Sequence, residues 1–226
     1  IPSSEISIGN DAFNGCSSLE QITIPSSVTS IGNNVFKGIK SLVINGNLQK
    51  IEDDMFNKCS SLKQITIPSS VTYIGVEAFN ECSALTQTTL PPSVTKIGYS
   101  AFRGCSSLTQ ISILSSISEI ENTTFEGCSS LKQIEIPSSI TCIGNAAFRG
   151  CASLENILIP SSVTSIGYFA FRGCSSLAEI SIPSSVTYIG EKAFIECSSL
   201  KKITMASTLK EIGKNAFPLS TEIVKV

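Results

Sequence analysis

The stretch Ile134-Glu135-Ile136-Pro137-Ser138-Ser139-Ile140-Thr141-Cys142-Ile143-Gly144-Asn145-Ala146-Ala147-Phe148-Arg149-Gly150-Cys151 decides the fold. Its phenylalanine recurs as Phe13, Phe36, Phe56, Phe79, Phe102, Phe125, Phe148, Phe171, Phe194 and Phe217, at eight intervals of 23 residues and one of 20. Each copy carries similar neighbours. A period in this range marks a solenoid, in which one unit is too small to bury its own apolar face and must stack on the next.

Residues 177–199 illustrate one unit. Ile180 and Ile182 alternate with Glu179 and Ser181, which predicts a short strand with one buried face. Pro183 cannot donate to a ladder and ends it. Ser184 and Ser185 predict a turn whose hydroxyls bond local backbone. Val186 and Ile189 predict a second, shorter extended segment. Gly190 reads as a sharp turn or a positive φ angle. Glu191-Lys192-Ala193-Phe194 reads as a single helical or 3₁₀ turn with Phe194 inward, and Cys197 closes the coil. Burying a large apolar side chain stabilises by roughly 1.5–3 kcal/mol. Ordering each residue costs about 1–2 kcal/mol, so a lone coil is unstable and a stack shares one core.

Composition narrows the function. The 226 residues have a net charge of −2, which gives no electrostatic case for nucleic acid or an anionic membrane. No apolar run approaches the ~18 residues of a membrane helix, so this segment predicts no direct membrane insertion. There is no His and no Trp, and Asp is confined to Asp11, Asp53 and Asp54. The usual general base and the commonest metal ligand are therefore missing. The many serines hold repeated turn positions with no base to activate them. No catalytic, cofactor-binding or metal-binding residues are assigned, and the chain reads as a non-enzyme. It begins at Ile1, inside a repeat and without Met, and reads as a fragment or processed product.

The repeated pattern L-x-x-I-x-I-P-x-S-V-x-x-I-G-x-x-A-F-x-G-C resembles the BspA-like class of leucine-rich repeats. Ser61-Leu62-Lys63-Gln64-Ile65-Thr66-Ile67-Pro68-Ser69-Ser70-Val71-Thr72-Tyr73-Ile74-Gly75 follows it almost position by position. The resemblance implies an α/β-type repeat solenoid: a curved right-handed coil with a parallel β-sheet on its concave face. Short helical or 3₁₀ turns, or second short strands, would lie elsewhere. It also implies a cell-surface or secreted, non-catalytic module that adheres to host cells, matrix proteins or other microbes. The alternative is an intracellular leucine-rich repeat scaffold, since nine cysteines, mostly unpaired on this reading, suit a reducing compartment equally well.

Residues 1–226 are expected to form a single solenoid of about ten coils, with an irregular short repeat at 37–56 and a C-terminal cap at 217–226. The short repeat loses about three residues just before its strand and replaces Cys with Ile39, which predicts a local tightening or bend. Thr88 replaces an inward Ile, Leu114 replaces Pro, and Glu5 stands where Val is expected. Ile223-Val224-Lys225-Val226 reads as a closing strand.

Eight cysteines hold one repeat position: Cys16, Cys59, Cys82, Cys105, Cys128, Cys151, Cys174 and Cys197. A disulfide framework or a metal array is the sharper alternative. A buried column whose weak S–H donors meet loop carbonyls fits better. Spacing of 23 residues without His supplies no metal cluster. Stacked coils hold such Cβ atoms parallel and nearly 5 Å apart, beyond the roughly 3.5–4.5 Å of a bridge. Cys142 stands apart, in a variable position held elsewhere by Ser30, Tyr73, Lys96 and Glu119. It is either an incidental surface thiol or a route to oligomers by intermolecular pairing.

A protein or glycan partner is expected on the outward residues of the main strands. The candidate partner-binding residues are Gln64, Thr66, Gln87, Thr89, Gln110, Ser112, Gln133, Glu135, Asn156, Leu158 and Glu179. A solvated sheet face of stacked amides and hydroxyls is the plain alternative. Arg103, Arg149 and Arg172, near Tyr99, Tyr168 and Phe169, form a second candidate patch. Asn122-Thr123-Thr124 is a glycosylation sequon, which requires exposure and a secretory route.

Overall fold

A computed structural model describes residues 1–16, 19, 21–32, 35–45, 48–114 and 117–225. The alternating isoleucines form the expected strands, with outward residues exposed and inward ones buried, as in Gln21–Ile24 and Glu179–Ile182. Seven of these strands, from Gln21–Ile24 to Asn156–Ile157, pair in parallel as the main sheet. Gln110 stands in register with Gln87 on one side and Gln133 on the other. Three further strands, Glu179–Ile182, Lys202–Met205 and Glu222–Lys225, continue the series as a separate sheet. The second extended segments also pair in parallel, as two-residue strands such as Cys142–Ile143 and Ser165–Ile166.

The expected helical turns are not formed. Among the described residues there is no helix, so the α/β-type assignment is corrected to a parallel-strand β-solenoid. The reason lies in where the amides point. Asn80 N–H donates to Glu77 O (3.0 Å) and Cys82 N–H to Phe79 O (3.1 Å), within the coil. The intervening amides reach the next coil instead: Glu77 N–H to Tyr99 O (3.1 Å), Phe79 N–H to Ala101 O (2.7 Å) and Glu81 N–H to Arg103 O (2.6 Å). A helix needs every amide to bond within its own segment. Here alternate amides tie neighbouring coils together, so the segment becomes consecutive turns. The left-handed backbone this requires recurs at Glu77, Ser100, Thr123, Ala146, Phe169 and Lys192, with φ from 52° to 55°. It is sterically costly for residues with a Cβ, and the inter-coil hydrogen bonds offset that cost.

From Gly32 onward, the Gly of each Ile-Gly pair has a different reason from the one expected. Gly190 does not have a positive φ. A Cβ added there would stand 2.5 Å from Gly167 C and Tyr168 N of the preceding coil, so close stacking excludes a side chain. Some turn serines bond across coils rather than locally: Ser139 Oγ donates to Ile117 O at 2.7 Å. In the coil of residues 177–199, Ser185 Oγ is buried without a hydrogen-bond partner.

One core runs the length of the stack. Phe36 to Phe217 form an unbroken ladder of stacked rings, with centroids 5.0–5.7 Å apart. The short repeat does not interrupt it, and Ile39 fills the vacated Cys position completely buried. The missing residues fall between Phe36 and the strand Ser41–Ile44, as expected. The main sheet passes through with Ser41 in register with both Gln21 and Gln64. The second sheet divides there: Ser30–Ile31 pairs backward with Ser7–Ile8, and Lys50–Ile51 pairs forward with Tyr73–Ile74.

Seven cysteines of the repeat position are buried, and all nine are free thiols. Six donate to the Phe carbonyl of the preceding coil at 3.0–3.2 Å, as Cys128 does to Phe102. Burial pushes the Cys59 and Cys128 thiols up to about 12. Cys16 is exposed and does not belong to the buried column, whereas Cys142 is half-buried. The closing strand forms as Glu222–Lys225, paired with Lys202–Met205, and Val226 lies outside the described residues.

Candidate binding surface

The period-2 alternation that sends isoleucines inward sends the intervening residues out on one face. Ten of the eleven candidate residues are exposed there, and Ser112 is half-buried. The face is recessed into three adjoining grooves. A groove of about 510 Å³ is lined by Gln64, Thr66, Gln87, Thr89, Gln110 and Ser112 among others. The next, of about 400 Å³, shares Gln110 and Ser112 and adds Gln133, Glu135, Asn156 and Leu158. The third, of about 270 Å³, shares Asn156 and Leu158 and adds Glu179, Ser181, Lys202 and Thr204. The shared residues make the grooves one trough along the stack.

Besides Ser181, Lys202 and Thr204, the trough has apolar contributors outside the eleven candidates. Leu114 is 59 % exposed and lines the first two grooves, and Pro92 lines the first. The signal for Leu114 was its occupation of a Pro position, which frees an amide that donates to Leu90 O at 3.1 Å. Beneath the first groove Thr88 points inward as expected. It is buried, and its Oγ1 has no hydrogen-bond partner.

Each of the three arginines is paired with a carboxylate. Glu126 lies between Arg103 (3.3 Å) and Arg149 (3.1 Å). Arg172 meets both carboxylate oxygens of Glu196, at 2.9 and 2.8 Å, and lies 5.7 Å from the Phe169 ring centre. That bidentate contact holds the Glu196 carboxyl below its ordinary range. No free cationic patch remains among these three arginines.

The sequon serves the inter-coil framework. Asn122 Oδ1 accepts the Asn145 amide at 2.7 Å, and Asn145 Oδ1 accepts the Tyr168 amide at 2.9 Å. Asn122 is exposed, but Thr124 is buried and its hydroxyl donates to Glu121 O at 2.7 Å. Among the described residues no group of three or more His, Cys, Asp or Glu could hold a metal ion. No helix there is long and apolar enough to cross a membrane.

Parallel strands, a stacked aromatic core and a recessed sheet face define a leucine-rich repeat solenoid of about nine turns. The BspA-type leucine-rich repeat region matches residues 1–109 and 97–224 in six copies, so the chain belongs to that family. Similar solved structures include a leucine-rich repeat protein from Bacteroides ovatus, 28% identical with a TM-score of 0.72, covering 100% of this chain and 76% of that one. A leucine-rich cell surface protein from Faecalibacterium prausnitzii is 28% identical with a TM-score of 0.56, covering 100% and 77%. A leucine-rich repeat protein from T. pallidum is 27% identical with a TM-score of 0.70, covering 88% and 91%. No curated protein matches the chain.

Proposed function

We propose that the chain is a non-catalytic recognition module, displayed at a cell surface or secreted, that binds a protein or glycan of host cells, matrix or other microbes along the trough. The observation that carries this reading is the trough itself. It extends from Gln64 to Thr204, and its outward lining side chains, such as Gln64, Gln110 and Leu158, are ones the core does not require. Solenoids use extended faces of this kind for binding. The related F. prausnitzii structure is that of a cell surface protein, which supports the location. With few aromatic anchors, one domain binds weakly and gains from multivalency. The half-buried Cys142 offers one route to such oligomers.

The test is binding of the isolated chain to host cells, matrix proteins and microbes, repeated with Gln110→Arg and Gln133→Arg. Binding that the two substitutions abolish is expected. Absence of binding, or binding they leave unchanged, overturns the assignment. A second reading, an intracellular scaffold docking proteins on the same face, is favoured by the nine free thiols. Surface labelling of intact cells expressing the full-length protein separates the two.

A further inference from the structure

In a repeat protein the copies serve as an internal comparison: positions required by the stack recur, and departures on an exposed face are free to serve binding. One outward position of the main strands reads Thr66, Thr89, Ser112, Ser181 and Thr204, small hydroxyl residues suited to a solvated sheet. Val43 and Val224 depart from it near the ends of the series, outside the trough lining; within the trough two adjacent coils depart, with Glu135 and then Leu158. Neither change serves the core, since both side chains are exposed and Leu158 presents 78 % of its surface to solvent. Leu114 lines the same groove from the Pro position of another coil. The main sheet also divides here: Asn156–Ile157 is its last strand, and the strands that run into Glu135 and Leu158 shorten to two residues from the four of Gln110–Ile113.

The charges are equally local. Glu135 has no ion-pair partner among the described residues. The nearby Glu179 forms no ion pair among the described residues either, but it has a lysine, Lys202, beside it in register. The middle groove therefore pairs exposed aliphatic surface with one uncompensated carboxylate. We infer that Leu158, Leu114 and Glu135 form the specificity-determining centre of the trough, and that it takes an extended protein segment bearing an apolar side chain beside a Lys or Arg. Leu158 and Leu114 remove the apolar group from water, and Glu135 accepts the cation. A neutral glycan offers Glu135 no charge partner, which favours a protein segment. This inference rests on the reading of the trough as a binding surface.

The test is selection of a phage-displayed random peptide library on the whole chain, followed by titration of a synthetic enriched peptide. Enrichment of peptides with an apolar residue beside Lys or Arg is expected. Leu158→Thr and Glu135→Thr restore the residue types of the other coils and should leave the melting temperature unchanged. Each should weaken the peptide roughly tenfold or more, while Lys210→Ala, exposed and outside the trough, leaves it unchanged. The wild-type affinity should fall with salt more steeply than that of Glu135→Thr. No enrichment, enrichment without this pairing, or affinity unmoved by Leu158→Thr overturns the inference. Cell binding that Gln110→Arg abolishes but Leu158→Thr and Glu135→Thr leave intact would sink this inference alone. Cell binding absent altogether would remove the broader reading.

Discussion

The Cys128 thiol donates to the carbonyl oxygen of Phe102, one coil earlier, at 3.2 Å. The same oxygen accepts the Cys105 amide at 3.3 Å. Each such cysteine thus joins two coils, and its sulfur is closed off from solvent. A thiol reagent applied to native protein should therefore modify Cys16 and Cys142 and spare the seven buried cysteines. Mass spectrometry before and after unfolding checks this; rapid native labelling of Cys105 or Cys128 would contradict the burial.

Alkali should weaken the fold through the same column. The Cys59 and Cys128 thiols rise from an ordinary 9.0 to about 12 because burial penalises the thiolate. Their folded values are raised, so the stability they contribute is complete below pH 9 and is lost as pH rises toward 12. The urea midpoint should fall across that window, and less steeply for a Cys59→Ala, Cys128→Ala double variant. An equal slope in both proteins would remove these thiols as the cause.

Two glycines should respond differently to Ala. A Cβ on Gly190 meets the preceding coil's backbone at 2.5 Å, and no flexible side chain can move aside. Gly190→Ala should separate two coils and cost about 3 kcal/mol or more, in the range of severe steric defects. Gly150 has φ +73° but open space to 3.8 Å, so Gly150→Ala should cost only the left-handed backbone penalty of about 1–2 kcal/mol. Denaturant titration of both variants checks the order.

Thr88→Ile should stabilise the protein. The buried Oγ1 lacks a partner, and the equivalent residues Ile111 and Ile134 show that the position accepts isoleucine. Removing an unpaired buried hydroxyl and adding apolar contact should raise stability by about 1 kcal/mol. Thermal unfolding reads the change, and a lower melting temperature would mean that Thr88 makes a contact worth keeping.

The two strand series, the inward Phe and the exposed candidate residues were legible because each follows from local alternation and a repeat that stacks on itself. Gln110 faces outward for the same reason that Ile111 faces inward. The site was legible as a face but not as a shape. Leu114 belongs to the trough through residues of neighbouring coils, which its own segment does not encode.

Sequence alone determined the solenoid, its register and its core, because a fixed period leaves one way to align apolar residues between coils. Only the tertiary structure decided the turns around Glu77 and Phe79, whose amides choose between their own segment and the carbonyls of Tyr99 and Ala101. It likewise decided that Gly190 answers to the backbone of Gly167 and that Arg172 is spent on Glu196. In each case the partner lies about one coil away, and its distance and direction exist only once the coils have stacked.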